Sequence, residues 1–120
     1  MISGIGVDII EIERVKKACQ NERFLYKVFT ESEIAGAAGK PESLAGLFAA
    51  KEAVSKAMGT GFSEFAPIDA EVLKDEAGKP YLQPHGRLKG LMEEKGITQC
   101  HVSISHSQES AVGMAVMEKS

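Results

Sequence analysis

A long amphipathic helix is the sequence feature that most constrains the fold of this chain. Pro41 and Glu42 are typical of a helix start, because proline is preorganised for the first helical position and an early carboxylate suits the helix dipole. Apolar residues recur at helical spacing as far as about Met58, and Gly59 follows as a typical helix end. We therefore predict a helix over Pro41–Met58, the longest element of the chain.

The rest of the chain predicts strands and shorter helices around this helix. A chain of 120 residues has room for one hydrophobic core, and Thr30 and Glu33 have the spacing of a helix capping box. We expect one α+β domain over residues 1–120, with roughly five strands and three or four helices. Its antiparallel-rich sheet should pack against one long and several short helices. The predicted strands are Ile2–Ile10, Glu71–Lys74, Pro80–Gln83, Cys100–Ser105 and Ala111–Met117, and the predicted shorter helices include Glu11–Gln20, Asn21–Phe29 and His85–Lys95.

Composition and charge exclude several classes of protein. The net charge of −3 gives no reason to expect a nucleic-acid partner. No apolar run approaches the roughly 20 residues that cross a bilayer, and the first residues lack a signal-peptide pattern. Two cysteines, Cys19 and Cys100, make neither a disulfide framework nor a zinc site. We therefore expect a cytoplasmic protein with no membrane and no nucleic-acid contact.

The last predicted strand is apolar on both of its alternating faces. Such a pattern indicates burial on both sides of the strand. The core would cover one face, and a neighbouring subunit could cover the other. A domain of this size also removes only about two-thirds of its unfolded surface from water, so association would add to its stability. An oligomer is compatible with these features. The two faces carry Val112, Met114 and Val116 against Ala111, Ala115 and Met117.

Asp8 is a carboxylate inside an otherwise apolar strand. An unpaired charge is costly there, so Asp8 must pair with a cation, bind a metal or lie at the exposed end of the strand. Residue type alone favours capping of the helix that begins near Glu11 over metal ligation.

The long helix carries three charged residues beside its apolar stripe. Glu52 and Lys56 lie one turn apart, and the simplest interpretation is an ion pair worth about 0.3–0.5 kcal/mol. Lys51 falls inside the apolar arc between Leu47 and Val54. It either extends along its alkyl stem to water or, with the neighbouring carboxylate, takes part in phosphate chemistry near the glycines that end the helix.

The segment Val102–Ser107 is a second candidate for phosphate contacts. Strand alternation places Ser103, Ser105 and Ser107 on one face and His106 on the other. Three hydroxyls with backbone donors could hold phosphate oxygens, whereas the simpler interpretation is a solvent-facing polar edge. No order of serine, histidine and aspartate specifies a catalytic triad, so a hydrolase of that kind is rejected.

A set of cations occurs near the start of the chain, on predicted helix faces. It is either a solvated face balanced by nearby glutamates or a docking patch for an acidic protein, where charge would raise the association rate. The cations are Arg14, Lys17, Arg23 and Lys27, and the glutamates are Glu11, Glu13 and Glu22.

Taken in order, these motifs resemble those of the holo-acyl-carrier-protein synthases, the small 4′-phosphopantetheinyl transferases of fatty acid synthesis. The resemblance rests on GIGVDIIEIER at 4–14, FAAKEAVSKA at 48–57 followed by Gly-Thr-Gly, GKPY at 78–81 and HVSISHS at 101–107. It implies one transferase domain that moves 4′-phosphopantetheine from coenzyme A to a serine of apo-acyl carrier protein and releases adenosine 3′,5′-bisphosphate. It also implies a Mg²⁺ cofactor and a homotrimer with active sites between subunits.

The same resemblance implies roles for individual residues. Asp8 and Glu52 would be the metal carboxylates, with Glu52 also the base, acting directly or through water. Lys56 would be the cation beside the diphosphate. The coenzyme A pocket would further include Gly59, Thr60, Gly61, Pro80, Ser105, His106 and Ser107, and the carrier protein would contact Arg14, Arg23 and Lys27.

One position departs from the family pattern. Family members commonly have arginine immediately before the phenylalanine of the FAAKE motif, whereas this chain has Leu47. The resemblance implies that one coenzyme A phosphate contact is lost, unless Lys51 compensates. The departure favours an alternative function, a non-catalytic oligomeric module that binds coenzyme A or a carrier protein. A Mg²⁺-dependent phosphohydrolase ranks third.

Overall fold

The computed structural model describes residues 1–120 as five strands and five α-helices. The predicted α+β class is confirmed, and Pro41–Met58 is helical as predicted. There is one helix more than expected, because the capping box of Thr30 and Glu33 starts a helix that continues through Gly36. The strands are β1 Ile2–Glu11, β2 Ala70–Lys74, β3 Pro80–Pro84, β4 Ile97–His106 and β5 Ser110–Lys119; the helices are α1 Ile12–Cys19, α2 Glu22–Val28, α3 Glu31–Ala37, α4 Pro41–Met58 and α5 Gly86–Glu94.

The strands form a three-stranded antiparallel sheet and a separate hairpin. The sheet has the order β1-β5-β4, with β5 in the centre, and the hairpin consists of β2 and β3. Asp8 in β1 is the register partner of Gly113 in β5, which is in turn the partner of Ile104 in β4. None of the helices has both the length and the apolar character that a bilayer crossing needs.

Helix α4 lies directly on β1 and β5 because glycines in the strands meet alanines on the helix. A Cβ atom added to Gly6 would lie 1.9 Å from the carbonyl oxygen of Ala53, and one added to Gly113 would lie 2.4 Å from the carbonyl carbon of Ala49. Any side chain at these two strand positions would force the helix away. The glycines of β1 and β5 therefore permit the close approach of the α4 backbone to the sheet.

The opposite face of the sheet is not covered by this chain. In β5, one face is buried in the core and the other, which includes Met114, is open to solvent to varying degrees. Three apolar side chains of β1 lie beside it and are more than half exposed: Ile5, Val7 and Ile9. Within one chain, β5 is therefore buried on one of its two faces, as predicted, and its other face is left uncovered.

Candidate active site

Asp8 pairs with Lys56, a residue 48 positions later in the chain. The Asp8 carboxylate lies 3.0 Å from the Lys56 Nζ, which also donates a hydrogen bond of 3.1 Å to the carbonyl oxygen of Val7. The expectation that Asp8 caps the following helix is wrong, because β1 continues to Glu11 and α1 has no side-chain cap. The strand therefore points Asp8 at α4 instead.

Glu52 is the second carboxylate at this contact. Its partial burial raises its pKa, the negative charge of Asp8 raises it further, and Lys56 acts in the opposite direction. The predicted ion pair between Glu52 and Lys56 is not formed, because the lysine pairs with Asp8 across the interface. Two carboxylates and one ammonium group therefore converge where α4 crosses β1. Asp8 and Glu52 are the residues that could hold a metal ion here.

The loop after α4 lies at the same end of the helix as Lys56. Gly59 ends α4 in the left-handed conformation, with φ of 79°. The Thr60 hydroxyl donates a hydrogen bond to the carbonyl oxygen of Gly61. The predicted residues Gly59, Thr60 and Gly61 are thus in reach of a ligand that contacts Lys56, and together with Asp8, Glu52 and Lys56 we call them the carboxylate half-site.

The other predicted residues lie near the opposite end of α4. Pro80 and His106 line a cavity of about 520 Å³ between α3, the start of α4, the β2–β3 hairpin and the end of β4. Ser105 is exposed nearby. The Ser107 hydroxyl instead accepts hydrogen bonds from the amides of Glu109 and Ser110 in the turn before β5.

We call Pro80, Ser105, His106 and Ser107 the groove half-site. Gly46 lines the same cavity, and Gly59 lies 13 positions further along the chain, about 20 Å at a helical rise of 1.5 Å per residue. One chain therefore brings the predicted site residues together in two separate groups.

A sequence model for the 4′-phosphopantetheinyl transferase superfamily matches residues 4–115. The chain belongs to this superfamily. The holo-[acyl-carrier-protein] synthase of Alkaliphilus metalliredigens is 51% identical to it, over 97% of this chain and 98% of that protein. The synthase of Fusobacterium nucleatum is 46% identical, over 98% of this chain and 99% of that protein.

Solved structures of holo-acyl-carrier-protein synthases share the fold. The Bacillus anthracis synthase, in complex with coenzyme A (3′,5′-ADP), has a TM-score of 0.82 and 42% identity, and covers 100% of this chain and 99% of its own. The Helicobacter pylori synthase, in complex with coenzyme A, has a TM-score of 0.86 and 33% identity, and covers 95% of this chain and 99% of its own. This transferase is therefore an enzyme of the holo-[acyl-carrier-protein] synthase type.

Lys51 of the transferase takes no part in phosphate contact. Its side chain is fully buried, and Nζ donates hydrogen bonds to Glu33 Oε1 at 2.9 Å, to the Pro67 carbonyl at 3.1 Å and to the Ala70 carbonyl at 2.8 Å. Burial lowers the pKa of Lys51, and the charge of Glu33 counteracts this. Both expectations for Lys51, extension to water and compensation for Leu47, are wrong because all three ammonium donors are used inside the protein.

The partner of Lys51, Glu33, begins a polar chain that leads to the surface. Glu33 Oε1 accepts the amide hydrogen of Thr30, and the Thr30 hydroxyl donates to Glu71 Oε2 at 2.5 Å. His85 Nε2 lies 2.8 Å from Glu71 Oε1. Burial acts to raise the pKa of Glu71, but hydrogen bonds from Thr30 and His85 outweigh it, and the pKa is lowered. The role of Glu33 as an ion-pair partner was not predictable from the sequence, since its only local signal was the capping box.

The cations of the first two helices are free of ion pairs within the chain. Arg14 in α1 and Arg23 and Lys27 in α2 are exposed, and none contacts a carboxylate. The nearby glutamates therefore do not neutralise these cations by direct pairing. The transferase presents an unpaired positive surface on α1 and α2.

Proposed function

We propose that this enzyme transfers 4′-phosphopantetheine from coenzyme A to a serine hydroxyl of an apo-acyl carrier protein and releases adenosine 3′,5′-bisphosphate. The observation that carries the proposal is the convergence of Asp8, Glu52 and Lys56 where α4 crosses β1. Coenzyme A bound to the Helicobacter and Bacillus synthases supports it as the donor. We further propose that the single domain over residues 1–120 performs this reaction in the cytoplasm, in fatty acid biosynthesis.

The carboxylate half-site fits a magnesium ion. Mg²⁺ prefers oxygen ligands and is usually held by one or two carboxylates together with water and substrate phosphate oxygens. Asp8 and Glu52 supply two carboxylates, and the negative charge of Asp8 already raises the pKa of Glu52, a repulsion that a cation would relieve. We propose that these two residues hold Mg²⁺, which when bound would offset the negative charge of the diphosphate.

The residues of this half-site have distinct chemical tasks. The serine oxygen of the carrier protein attacks the β-phosphorus of coenzyme A, and the bond from that phosphorus to the bridging oxygen breaks. The electron pair of that bond leaves with adenosine 3′,5′-bisphosphate. Glu52 accepts the serine proton, either directly or through a water molecule. Lys56, whose side chain is half exposed, donates hydrogen bonds to the departing phosphate.

We propose a homotrimer in which each active site lies between two subunits. The carboxylate half-site and the groove half-site lie towards opposite ends of α4 in one chain, with about 20 Å of helix from Gly46 to Gly59. The uncovered apolar face with Val7 and Met114 is a suitable contact surface between copies. Coenzyme A would then contact Lys56 and the Gly59–Gly61 loop of one subunit, and Pro80 and His106 of the next.

The unpaired positive surface on α1 and α2 is the proposed docking site for the carrier protein. Arg14, Arg23 and Lys27 are free to meet carboxylates of a partner, since none of them is engaged within the chain. Exposed charges of this kind mainly accelerate association and orient the partner.

The test is the intact mass of an apo-acyl carrier protein after incubation with the enzyme, coenzyme A and Mg²⁺. We expect a gain of one phosphopantetheine, lost with a chelator and in Asp8→Ala and Glu52→Ala. Glu93→Ala, which removes an exposed carboxylate from α5, serves as the matched control and should retain activity. Thermal stabilisation by coenzyme A with no mass gain on several carrier proteins would contradict the proposal and favour a binding module. Release of phosphopantetheine without an acceptor would indicate a phosphohydrolase.

A further inference from the structure

Helix α4 lies very close to the sheet, and the residues that face each other across this contact are small. The helix presents Ala49, Ala53 and Ala57 to the sheet, and the strands present Gly6 and Gly113. Helices usually lock against their neighbours by interdigitating ridges of larger side chains. Methyl groups against glycine backbone supply little of this, and apolar contact is itself non-directional. A small rotation of α4 about its axis is therefore weakly opposed at this face.

Lys51 supplies the directional contact that the alanine face lacks. Its ammonium group has three donors, and each meets an acceptor from a different segment: Glu33 in α3, Pro67 in the turn before β2, and Ala70 at the start of β2. Hydrogen bonds depend strongly on angle as well as distance. Three of them on one fully buried atom define the direction in which Lys51 leaves α4.

The acceptor that carries the charge is itself held in place. Glu33 Oε1 accepts from the amide of Thr30 at 2.9 Å and Oε2 accepts from the amide of Val72 at 2.9 Å. The carboxylate is thus bound to the first turn of α3 and to β2 at once. Lys51 is tied to a rigid anchor rather than to a mobile side chain.

We propose that the buried Lys51–Glu33 pair is a positioning element that sets the rotation of α4 and thereby directs Glu52 at the cation site beside Asp8. Lys51 and Glu52 are consecutive residues, so their side chains leave the helix about 100° apart. When Lys51 points at α3 and β2, Glu52 points at β1. The inference rests on the proposed function, because the direction of Glu52 matters for catalysis when Glu52 and Asp8 hold the metal.

The variant that tests this role is the double substitution Lys51→Met with Glu33→Gln. It removes both buried charges together, so neither is left unpaired, and replacing a whole buried ion pair is often tolerated. The glutamine oxygen can accept from the amide of Thr30 or from the amide of Val72 but not from both, so the variant loses one of these two hydrogen bonds. Glu33→Gln alone is the second variant, in which Lys51 keeps the Pro67 and Ala70 carbonyl oxygens but loses its only charged acceptor. Val54→Ala, a fully buried change on the same helix, is the control for a general loss of stability.

The measurement is metal binding without turnover. Each protein is saturated with coenzyme A, no carrier protein is added, and Mn²⁺ is titrated as the probe through the electron paramagnetic resonance of the free ion, with Mg²⁺ as competitor. We expect the double variant to bind Mn²⁺ about 10–100-fold more weakly than the parent protein, and Glu33→Gln to be weakened in the same direction. Val54→Ala should stay within about twofold of the parent, since packing loss alone does not redirect Glu52.

Each outcome decides between the proposals. Parent-like Mn²⁺ binding by either folded variant, or equal weakening in Val54→Ala, overturns the positioning role while leaving the transferase proposal intact. Absence of Asp8-dependent Mn²⁺ binding and of Mg²⁺-dependent transfer in the parent protein overturns the proposed metal site, and the positioning role with it.

Discussion

Gly6→Ala tests the contact that brings the two carboxylates together. The added Cβ atom would lie 1.9 Å from the carbonyl oxygen of Ala53 and 2.8 Å from the amide nitrogen of Ala57, whereas real Cβ atoms essentially never approach closer than 3.0 Å. The helix and the strand must therefore separate by about 1 Å, more than a well-packed core accommodates without strain. Because Gly6 is two residues from Asp8 on the same face of β1, this separation also moves Glu52 away from Asp8.

Two quantities should change in Gly6→Ala. Overpacking of a core typically costs about 1–3 kcal/mol, and this case belongs at the upper end because the clash is with helix backbone rather than with a flexible side chain. A displacement of about 1 Å at reacting groups can lower the rate by about 10²-fold. Urea unfolding gives the first quantity, and the initial rate of mass gain on apo-acyl carrier protein gives the second, measured well below the unfolding midpoint.

Gly90→Ala is the matched control, because it is the same chemical change inside a helix with open space around it. Apart from the adjoining backbone of α5, no heavy atom lies within 4 Å of a Cβ at Gly90, and alanine in a helix interior is more favourable than glycine by about 1 kcal/mol. Gly90→Ala should therefore be as stable as the parent or more so, with an unchanged rate. If Gly6→Ala matched Gly90→Ala in both stability and rate, the close approach of α4 to β1 would be refuted as the basis of the site.

Three further predictions follow from the site and its surroundings. Glu52→Gln should abolish transfer and, in the presence of chelator, raise the free energy of unfolding at pH 7. The reason is that the pKa of Glu52 is raised in the folded protein, so ionisation of this carboxyl group destabilises the folded state. The increase in the free energy of unfolding should be below about 1 kcal/mol, since the carboxyl group is partly solvated. Thermal melts of the variant and the parent should become equal at pH values below the ordinary glutamate pKa of about 4.3, where Glu52 is protonated in both the folded and the unfolded state. Val7→Asp should convert the proposed trimer to monomer in sedimentation analysis and lower activity by at least about tenfold if the site lies between subunits; a fully active monomer would contradict that arrangement. Arg23→Glu should raise the KM for the carrier protein severalfold and leave the KM for coenzyme A unchanged, with a stronger effect at low salt; a changed KM for coenzyme A alone would place Arg23 elsewhere in the mechanism.

Local chemistry allowed several elements to be predicted from the sequence. The bounds of α4 follow from Pro41 at its start and Gly59 at its end, and the start of α3 follows from the reciprocal hydrogen bonds of Thr30 and Glu33. Each of these signals acts between residues no more than four positions apart. The motifs around Asp8 and Glu52 are likewise contiguous, which is why they indicated the superfamily before any contact was known.

Charge partners could not be predicted in the same way. The sequence favoured a helix cap for Asp8 and an ion pair between Glu52 and Lys56, whereas the fold pairs Asp8 with Lys56. It likewise offered Lys51 as a group that reaches water or phosphate, whereas the fold buries it against Glu33. A long charged side chain can reach several partners, and its choice depends on which backbone surfaces are brought into contact.

The amino-acid sequence by itself determined the bounds of α4, the start of α3 and the approximate positions of the five strands. Only the tertiary structure decided which carboxylate meets which ammonium group, and that the predicted ligand-binding residues lie in two half-sites. The physical reason is the range of the forces. Backbone hydrogen bonds and caps act within a turn of helix, while a buried or interfacial charge is paired by whatever packing brings within about 3 Å of it.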